Sequence, residues 1–377
     1  MKDVMGIIFT SKDDYALREL TSRRCVTAIP VAARYRLVDF LMSNMVNSGV
    51  RNVGVLMQGN YSSLMDHISG GKEWDLHTRN NGLFILPPVN AQSDGGYQGS
   101  IDALKANVGY LRKSAQEMAL VVGGNIIYNT RYDGMFEMHV KTHADITVMY
   151  TKVDPLTFDY SGSSKNDRSF VNVAPDGTIT DIEVNPNLIT YPNVLMDVLL
   201  IKRTLLMQLI DTAAAHGYHH VNMDILRRII IEKSMKVVGY RFDGYCRRIE
   251  TIKSYFNMNM DLLKPEVRSE LFEKNPVFTK TRDDPPARYM PGAKVINSII
   301  ADGCVIEGTV ENSVIFRGTR IGKGAHIKDS IIMQDGYIGQ NCELENTILD
   351  KDVTILAGGR VVGHKQYPIV LGKNITL

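Results

Sequence analysis

The sequence predicts a chain of two modules, an α/β domain on a largely parallel sheet followed by a parallel β-helix of hexapeptide repeats. Three observations carry the prediction. Short β-branched runs alternate with amphipathic stretches up to about residue 258. A charged, proline-containing segment follows, and beyond it apolar residues recur every five or six positions to the end of the chain. The length of 377 residues also exceeds what one hydrophobic core usually organises.

In chain order, residues 4–9 form an apolar strand, and the runs at 53–57, 119–122, 146–150 and 194–201 are further strands. Helical patterns lie at 39–48 and 100–114. Such alternation places ligand sites beyond the carboxyl ends of the strands, which makes the loop at residues 10–16 the first site candidate. The stretch NMDLLKPEVRSELFEKN has a short helical pattern, and RDDPPAR after it reads as a connection. The expected division is therefore 1–258, a linker with a short helix at 259–288, and a β-helix at 289–377. In the last part the repeating apolar positions are Ile299, Val305, Val310, Ile315, Ile321, Ile327, Ile332, Ile338, Leu344, Leu349 and Ile355, with Gly, Asn and Asp between them. Each coil buries its apolar side only on its neighbours, so the terminal coils are expected to be covered by another domain or subunit. A β-helix of this kind is also common in acyltransferases that use a histidine base. His326 and His364 qualify by residue type alone, and the module reads as structural.

With 44% hydrophobic and 22% charged residues and a formal charge of +2, the composition exerts no general pull toward nucleic acid or membrane. Cys25, Cys246, Cys304 and Cys342 lack the spacing of a zinc site or a disulfide framework and are expected to be reduced, mostly packed thiols. The N-terminal apolar run is too short for a signal peptide, so the cytoplasm is the expected compartment.

The first strand runs into Thr10, Ser11, Lys12, Asp13 and Asp14, where a nucleotide-binding loop would carry glycines. Beyond this loop, Tyr35, Arg36, Asp39, Phe40, Ser43, Asn44, Asn47, Ser48 and Gly49 form the framework YRxxDFxxSNxxNSG. This framework resembles the opening of the bacterial glucose-1-phosphate adenylyltransferases, and the resemblance continues in order through the β-helix. It implies an α/β Rossmann-like nucleotidyltransferase domain with a mixed, mostly parallel sheet, followed by a left-handed parallel β-helix. It also implies a set of site residues, which this chain has replaced. The family's GGxGxR loop appears as Ser11, Lys12, Asp13, Asp14, Tyr15 and Ala16, so the glycines are filled and the arginine is Ala16. Its RAKPAVP appears as RCVTAIP, with Val26 in place of the lysine and Thr27 in place of the proline. The metal-binding aspartate of SGDHIY is Asn125 in GGNIIY, and that of GYWRDVGTIESY is Arg248 in GYCRRIETIKSY. On the sugar-phosphate side, FxEKP has become IEVNP, with Val184 and Asn185 before Pro186, and SMG has become Leu195, Met196 and Asp197.

Other segments survive. Gly82, Leu83, Ile85, Leu86, Pro87 and Pro88 repeat the family's GGLxILPP, preceded by the chain's single tryptophan, Trp74. Gln98, Gly99, Asp102, Ala103 and Asn107 keep most of its QGTADAVxxN, expected beside the adenine. Gln98, Gly99 and Asp102 are thus the candidates for a vestigial nucleotide side, and the degenerate positions Ala16, Val26, Asn125 and Arg248 are expected to leave no catalytic or metal site. The resemblance implies a non-catalytic or weakly active subunit that assembles with a catalytic homologue, as a heterotetramer, with a homo-oligomer as the alternative when alone. No tightly bound cofactor is expected; Mg²⁺ would serve the partner's reaction, and ATP or a sugar phosphate would bind weakly at most. Two alternatives stay open. One is an active enzyme with substitute ligands such as Asp13, Asp14 or Asp197; the other is a sugar-phosphate-binding regulatory module using Arg34, Arg36, Arg247 and Arg248.

Overall fold

The structure is a computed structural model that describes residue 1 and residues 3–10, 15–78, 81–88, 97–154 and 168–377. A nine-stranded sheet organises the first part. Its main path runs Ile179–Val184, Ser169–Val173, Asn193–Lys202, Met118–Gly123, Val4–Phe9, Asn52–Leu56, Leu83–Leu86. Ile146–Lys152 joins along Asn193–Lys202, and Val237–Arg241 pairs in parallel with Ile146–Lys152. Following the pairings, Asn193–Lys202 and Ile179–Val184 oppose the direction of Val4–Phe9 while the other strands share it, so the sheet is mixed and mostly parallel. Val4, Ile8, Leu120 and Val122 bury one face, and Met5, Ile7, Ala119 and Val121 bury the other. Strands covered on both sides need such continuous apolar runs. The helical pattern at 100–114 resolves into two helices, Ser100–Ala106 and Val108–Lys113, which meet at Asn107. Asn107 folds its own side-chain amide back onto the Ala103 carbonyl.

The β-helix is a prism of three five-stranded parallel sheets. Arg320, Tyr337 and Thr354 stack in register, one residue short of three hexapeptides per coil. Ile321, Ile338 and Ile355 fill the first face, Val310, Ile327 and Leu344 the second, and Ile315, Ile332 and Leu349 the third, all fully buried. Two inward positions differ from the sequence expectation: Ile300 and Ile306 pack into the β-helix core, whereas their neighbours Ile299 and Val305 are half-buried and Ile299 joins the contact with the first module. The turn from Ile306 to Val310, in the second coil, is two residues shorter than that from Ile321 to Ile327, which shifts the phase of the positions before it.

Within the chain, a lateral face of the β-helix carries the contact with the first module. The outward-pointing Val314, Phe316, Ile331, Met333 and Ile348 join Leu17, Leu20, Val26, Ile29, Phe40, Tyr255 and Leu271 in one apolar cluster. At its edge, Arg24 donates to both carboxylate oxygens of Asp350, at 2.9 and 3.1 Å. The helix Ile252–Asp261 runs across position 258, and Leu262, Val267 and Leu271 beyond it are buried in the same cluster. The segment 259–288 is therefore packed along most of its first half rather than strung through solvent.

The YRxxDFxxSNxxNSG framework is what seats that segment. It forms the helix Leu37–Asn47, whose Asp39 accepts from the Arg36 amide, from His67 Nε2 and from Thr279 Oγ1. Ser43 Oγ accepts from the Phe278 amide and from Trp74 Nε1, and Asn47 donates to the Pro276 carbonyl. Asn44 bridges the Tyr128 carbonyl and the Thr130 amide. These polar residues satisfy backbone groups of an otherwise irregular chain. Among the described residues no disulfide forms, and Cys25, Cys304 and Cys342 are buried. Among the described residues, no helix is long and apolar enough to cross a membrane.

Candidate functional site

A cavity of about 210 Å³ opens at the carboxyl ends of Val4–Phe9 and Met118–Gly123, the end where an open α/β sheet places its ligands. Thr10, Gly123, Gly124, Asn125, Asp197 and Arg248 line one side, and Tyr97, Gln98, Gly99, His220 and Asn222 line the other. Glycine is required at two of these positions by close approach. A Cβ at Gly124 would overlap the Phe9 carbonyl and Thr27 Oγ1, and one at Gly99 would overlap the His219 carbonyl. Gly99→Ala is accordingly expected to cost about 1–3 kcal/mol in an unfolding titration, since the colliding group is the His219 backbone carbonyl, which cannot swing aside.

Asn125 and Arg248 meet because Ile126–Tyr128 and Cys246–Arg248 form a two-stranded ribbon that pairs Arg248 with Ile126. The Ile249 amide closes the ribbon on the Asn125 carbonyl at 2.7 Å. Arg248 then spends its guanidinium within the protein. Nη1 pairs with Asp197 Oδ2 and lies 3.4 Å from Asn125 Oδ1, Nη2 donates to the Leu195 carbonyl at 3.1 Å, and Nε stands 3.7 Å from Glu250 Oε1. Burial works against its charge, but the Asp197 and Glu250 carboxylates outweigh burial and hold Arg248 above its ordinary pKa.

Asp197 reaches this position through an irregularity in its strand. Between Leu195 and Leu199 the register against Ile146–Lys152 shifts, and Asp197 takes a left-handed φ of 54°. Such bulges re-aim a side chain beside a site. Its second oxygen accepts from Asn222 Nδ2 at 2.8 Å. Glu250 is buried and pairs through Oε2 with Arg168.

A Mg²⁺ ion, which the fold family implies, does not fit this donor set. Asn125 contributes no charge, a guanidinium lies among the oxygens, and both carboxylate oxygens of Asp197 are engaged. Among the described residues, no group of three or more His, Cys, Asp or Glu side chains is placed to hold a metal.

The remaining sequence candidates fall in several places. Gln98 and Gly99 line the cavity, whereas Asp102 lies outside its lining, on the helix Ser100–Ala106, and accepts from His219 Nδ1 at 2.8 Å. Val26 is fully buried in the cluster shared with the β-helix, and Ala16 is half-buried in the short helix Tyr15–Leu20. Ser11, Lys12, Asp13 and Asp14 lie outside the described residues. Asn185 has a φ of 49° and is used locally, its Oδ1 accepting from the Arg168 amide. Arg247 pairs with Asp261 at 2.7 Å. His326 is exposed beside Glu311 and His364 is exposed in a turn with Tyr367, and neither lines this cavity. Sequence reasoning missed Asn222, Glu250 and Arg168. The charge pattern in RRIE marks Glu250, but nothing local marks the other two.

A second cleft of about 230 Å³ lies between the two modules and is strongly cationic. Arg34 and Arg36 come from the first module, Lys280 and Arg282 from the connecting segment, and Arg317 and Lys351 from the β-helix. Desolvation, reinforced by Arg36 and Arg24, pushes Lys351 down to about 7, and burial lowers Arg36 to about 10. Arg34 and Arg36 were candidates from the sequence; Lys280, Arg282, Arg317 and Lys351 were not, because three distant segments assemble the cleft.

Comparison with known proteins follows the same two-module division. Residues 15–264 match the Nucleotidyl transferase family model, and residues 285–367 match the model described as GlmU-like, C-terminal hexapeptide. The chain is 30% identical over 373 residues to the glycogen biosynthesis protein GlgD of Bacillus subtilis (strain 168), covering 99% of this chain and 96% of that protein. It is 34% identical over 361 residues to the glucose-1-phosphate adenylyltransferase of Thermomicrobium roseum, covering 94% and 82%. It is 32% identical over 334 residues to that of Geobacillus stearothermophilus, covering 87% and 84%. The sheet with its cavity at the strand ends, the hexapeptide prism and these full-length matches agree, and the chain belongs to the nucleotidyl transferase family, among the glucose-1-phosphate adenylyltransferases and GlgD.

Proposed function

We propose that this chain is a non-catalytic or weakly active subunit that assembles with a catalytic homologue, as a heterotetramer, to make ADP-glucose from ATP and glucose 1-phosphate for glycogen synthesis. The observation that carries the reading is Arg248, a fixed cation among the oxygens of Asp197, Asn125 and Leu195. Phosphoryl and nucleotidyl transfer rely on a metal to neutralise phosphate charge. A guanidinium already neutralised by Asp197 and Glu250 offers little of that. The substitute-ligand alternative loses support at Asp197, whose two oxygens are committed. The similarity to GlgD, named as a glycogen biosynthesis protein, supports the pathway assignment.

The deciding experiment is pyrophosphate release from ATP, glucose 1-phosphate and Mg²⁺, with the chain alone and mixed with a catalytic homologue. The expected result is no turnover alone and enhanced turnover in the mixture. Robust turnover alone would overturn the reading. For the same reason the double variant N125D/R248D is expected to stay inactive, because Val26 remains buried in an apolar cluster and supplies no phosphate contact.

The cationic cleft favours a second reading, in which the chain also holds a sugar phosphate and responds to it. Lys351 sets the pH dependence. As pH falls through about 7 it gains its proton, the cleft gains a positive charge, and anion affinity rises. Sulfate, whose own charge is constant in this range, is expected to bind several-fold tighter at about pH 6 than at about pH 8.5, and Lys351→Met should flatten that profile. An affinity that is flat or rises with pH in the unaltered chain would remove Lys351 from the cleft's chemistry.

A further inference from the structure

We infer that Arg248 is a built-in cation filling an oxygen cage, and that removing its side chain opens a divalent-cation site whose central ligand is Asp197. The inference rests on the cavity's geometry and does not depend on the assembly proposed above. Four oxygens from three segments face the guanidinium: a carboxylate oxygen of Asp197 and the Leu195 carbonyl from one strand, the Asn125 amide oxygen, and Glu250 Oε1. Carboxylate, amide and backbone carbonyl oxygens are the ligands hard divalent ions take. Glu250 Oε1 supplies an independent indication. It is buried, has no hydrogen-bond partner among the described residues, and stands 3.7 Å from Arg248 Nε. A buried carboxylate oxygen left unbonded is costly unless a cation lies beside it.

Charge balance points the same way. Asp197 and Glu250 carry two negative charges, and Arg248 and Arg168 carry two positive ones. Deleting the Arg248 side chain leaves one net negative charge within a set of oxygens. Asp197 sits on a bulge, where the backbone is not clamped by a regular ladder, so its carboxylate can move toward a smaller ion. In the native chain the tethered cation never dissociates. The cavity is therefore in its cation-filled state at any Mg²⁺ concentration, and its ligand binding is expected to be insensitive to a chelator.

The test uses the full chain, the variant Arg248→Ala, and Arg248→Ala combined with Asp197→Asn. Mn²⁺ binding is followed by loss of the free-ion electron paramagnetic resonance signal, and stability is followed with and without methylguanidinium. The native chain should bind no Mn²⁺ at this site. Arg248→Ala should gain one Mn²⁺ with a Kd on the order of 10⁻⁴ to 10⁻³ M, should lose thermal stability, and should recover part of it with either cation. Adding Asp197→Asn should abolish both gains. Failure of Arg248→Ala to respond to either cation would overturn the inference, as would equal Mn²⁺ binding by the native chain. Should Arg248→Ala not fold, Asp197→Asn in the native background decides: a lowered melting temperature that Mn²⁺ does not restore is expected, and an unchanged one would overturn the cage.

Discussion

Arg24→Ala is expected to destabilise the chain by about 3–5 kcal/mol, the cost of leaving one partner of a buried ion pair without the other. Arg24 and Asp350 are 4% and 2% exposed at the side chain, and two parallel hydrogen bonds join them across the junction of the modules. In the variant the Asp350 carboxylate keeps the amide of Lys351 but loses its counter-charge in a site water does not reach. Asp350→Ala should cost a similar amount by stranding the guanidinium. The double variant should lie well short of the sum, and replacing both residues with apolar side chains of similar volume should be close to neutral. Denaturant titration of the four proteins gives the coupling. A coupling near zero would mean that the apolar cluster around Phe316 and Tyr255 holds the junction without help from the pair.

Asp39→Ala is expected to have an effect of similar size, about 3–5 kcal/mol, through a different mechanism. The carboxylate is fully buried and receives three donors from three parts of the chain: the Arg36 amide at the start of its own helix, His67 Nε2, and Thr279 Oγ1. Alanine leaves all three without an acceptor, and each buried unsatisfied group costs on the order of 1–3 kcal/mol. Because Thr279 belongs to the connecting segment, the loss has a local readout as well as a global one. Limited proteolysis within residues 274–287 should accelerate in Asp39→Ala, and sulfate binding at the cationic cleft should weaken, since Lys280 and Arg282 follow Thr279 directly. An Asp39→Ala protein with unaltered proteolysis would show that Ser43 and Asn47 seat the segment without it.

The candidate site was legible in part, and the division follows the range of the interactions. Asn125 and Arg248 stood out because the resemblance implies a metal-binding aspartate at each of these positions, and the ribbon that pairs Ile126 with Arg248 brings them together. What surrounds Arg248 was not legible. Asp197 is 51 positions away and arrives through a register shift that no period-two pattern contains. Gln98 and Gly99 reached the cavity with Asn125, but Asp102, one helical turn further on, turned instead to His219. The six-residue period located the prism, while a shortened turn moved two inward positions, from Ile299 to Ile300 and from Val305 to Ile306.

By itself, the sequence determined the two modules, the mostly parallel sheet and the hexapeptide prism. Each of these is written in local periodicity or in a short motif, because backbone geometry repeats every two, six or roughly 3.6 residues. Only the tertiary structure decided which carboxylates neutralise Arg248, which lateral face of the prism meets the first module, and that cations from three distant segments share one cleft. Those outcomes depend on how far the chain travels between contacts, and charge pairing and apolar burial act through space without regard to sequence separation.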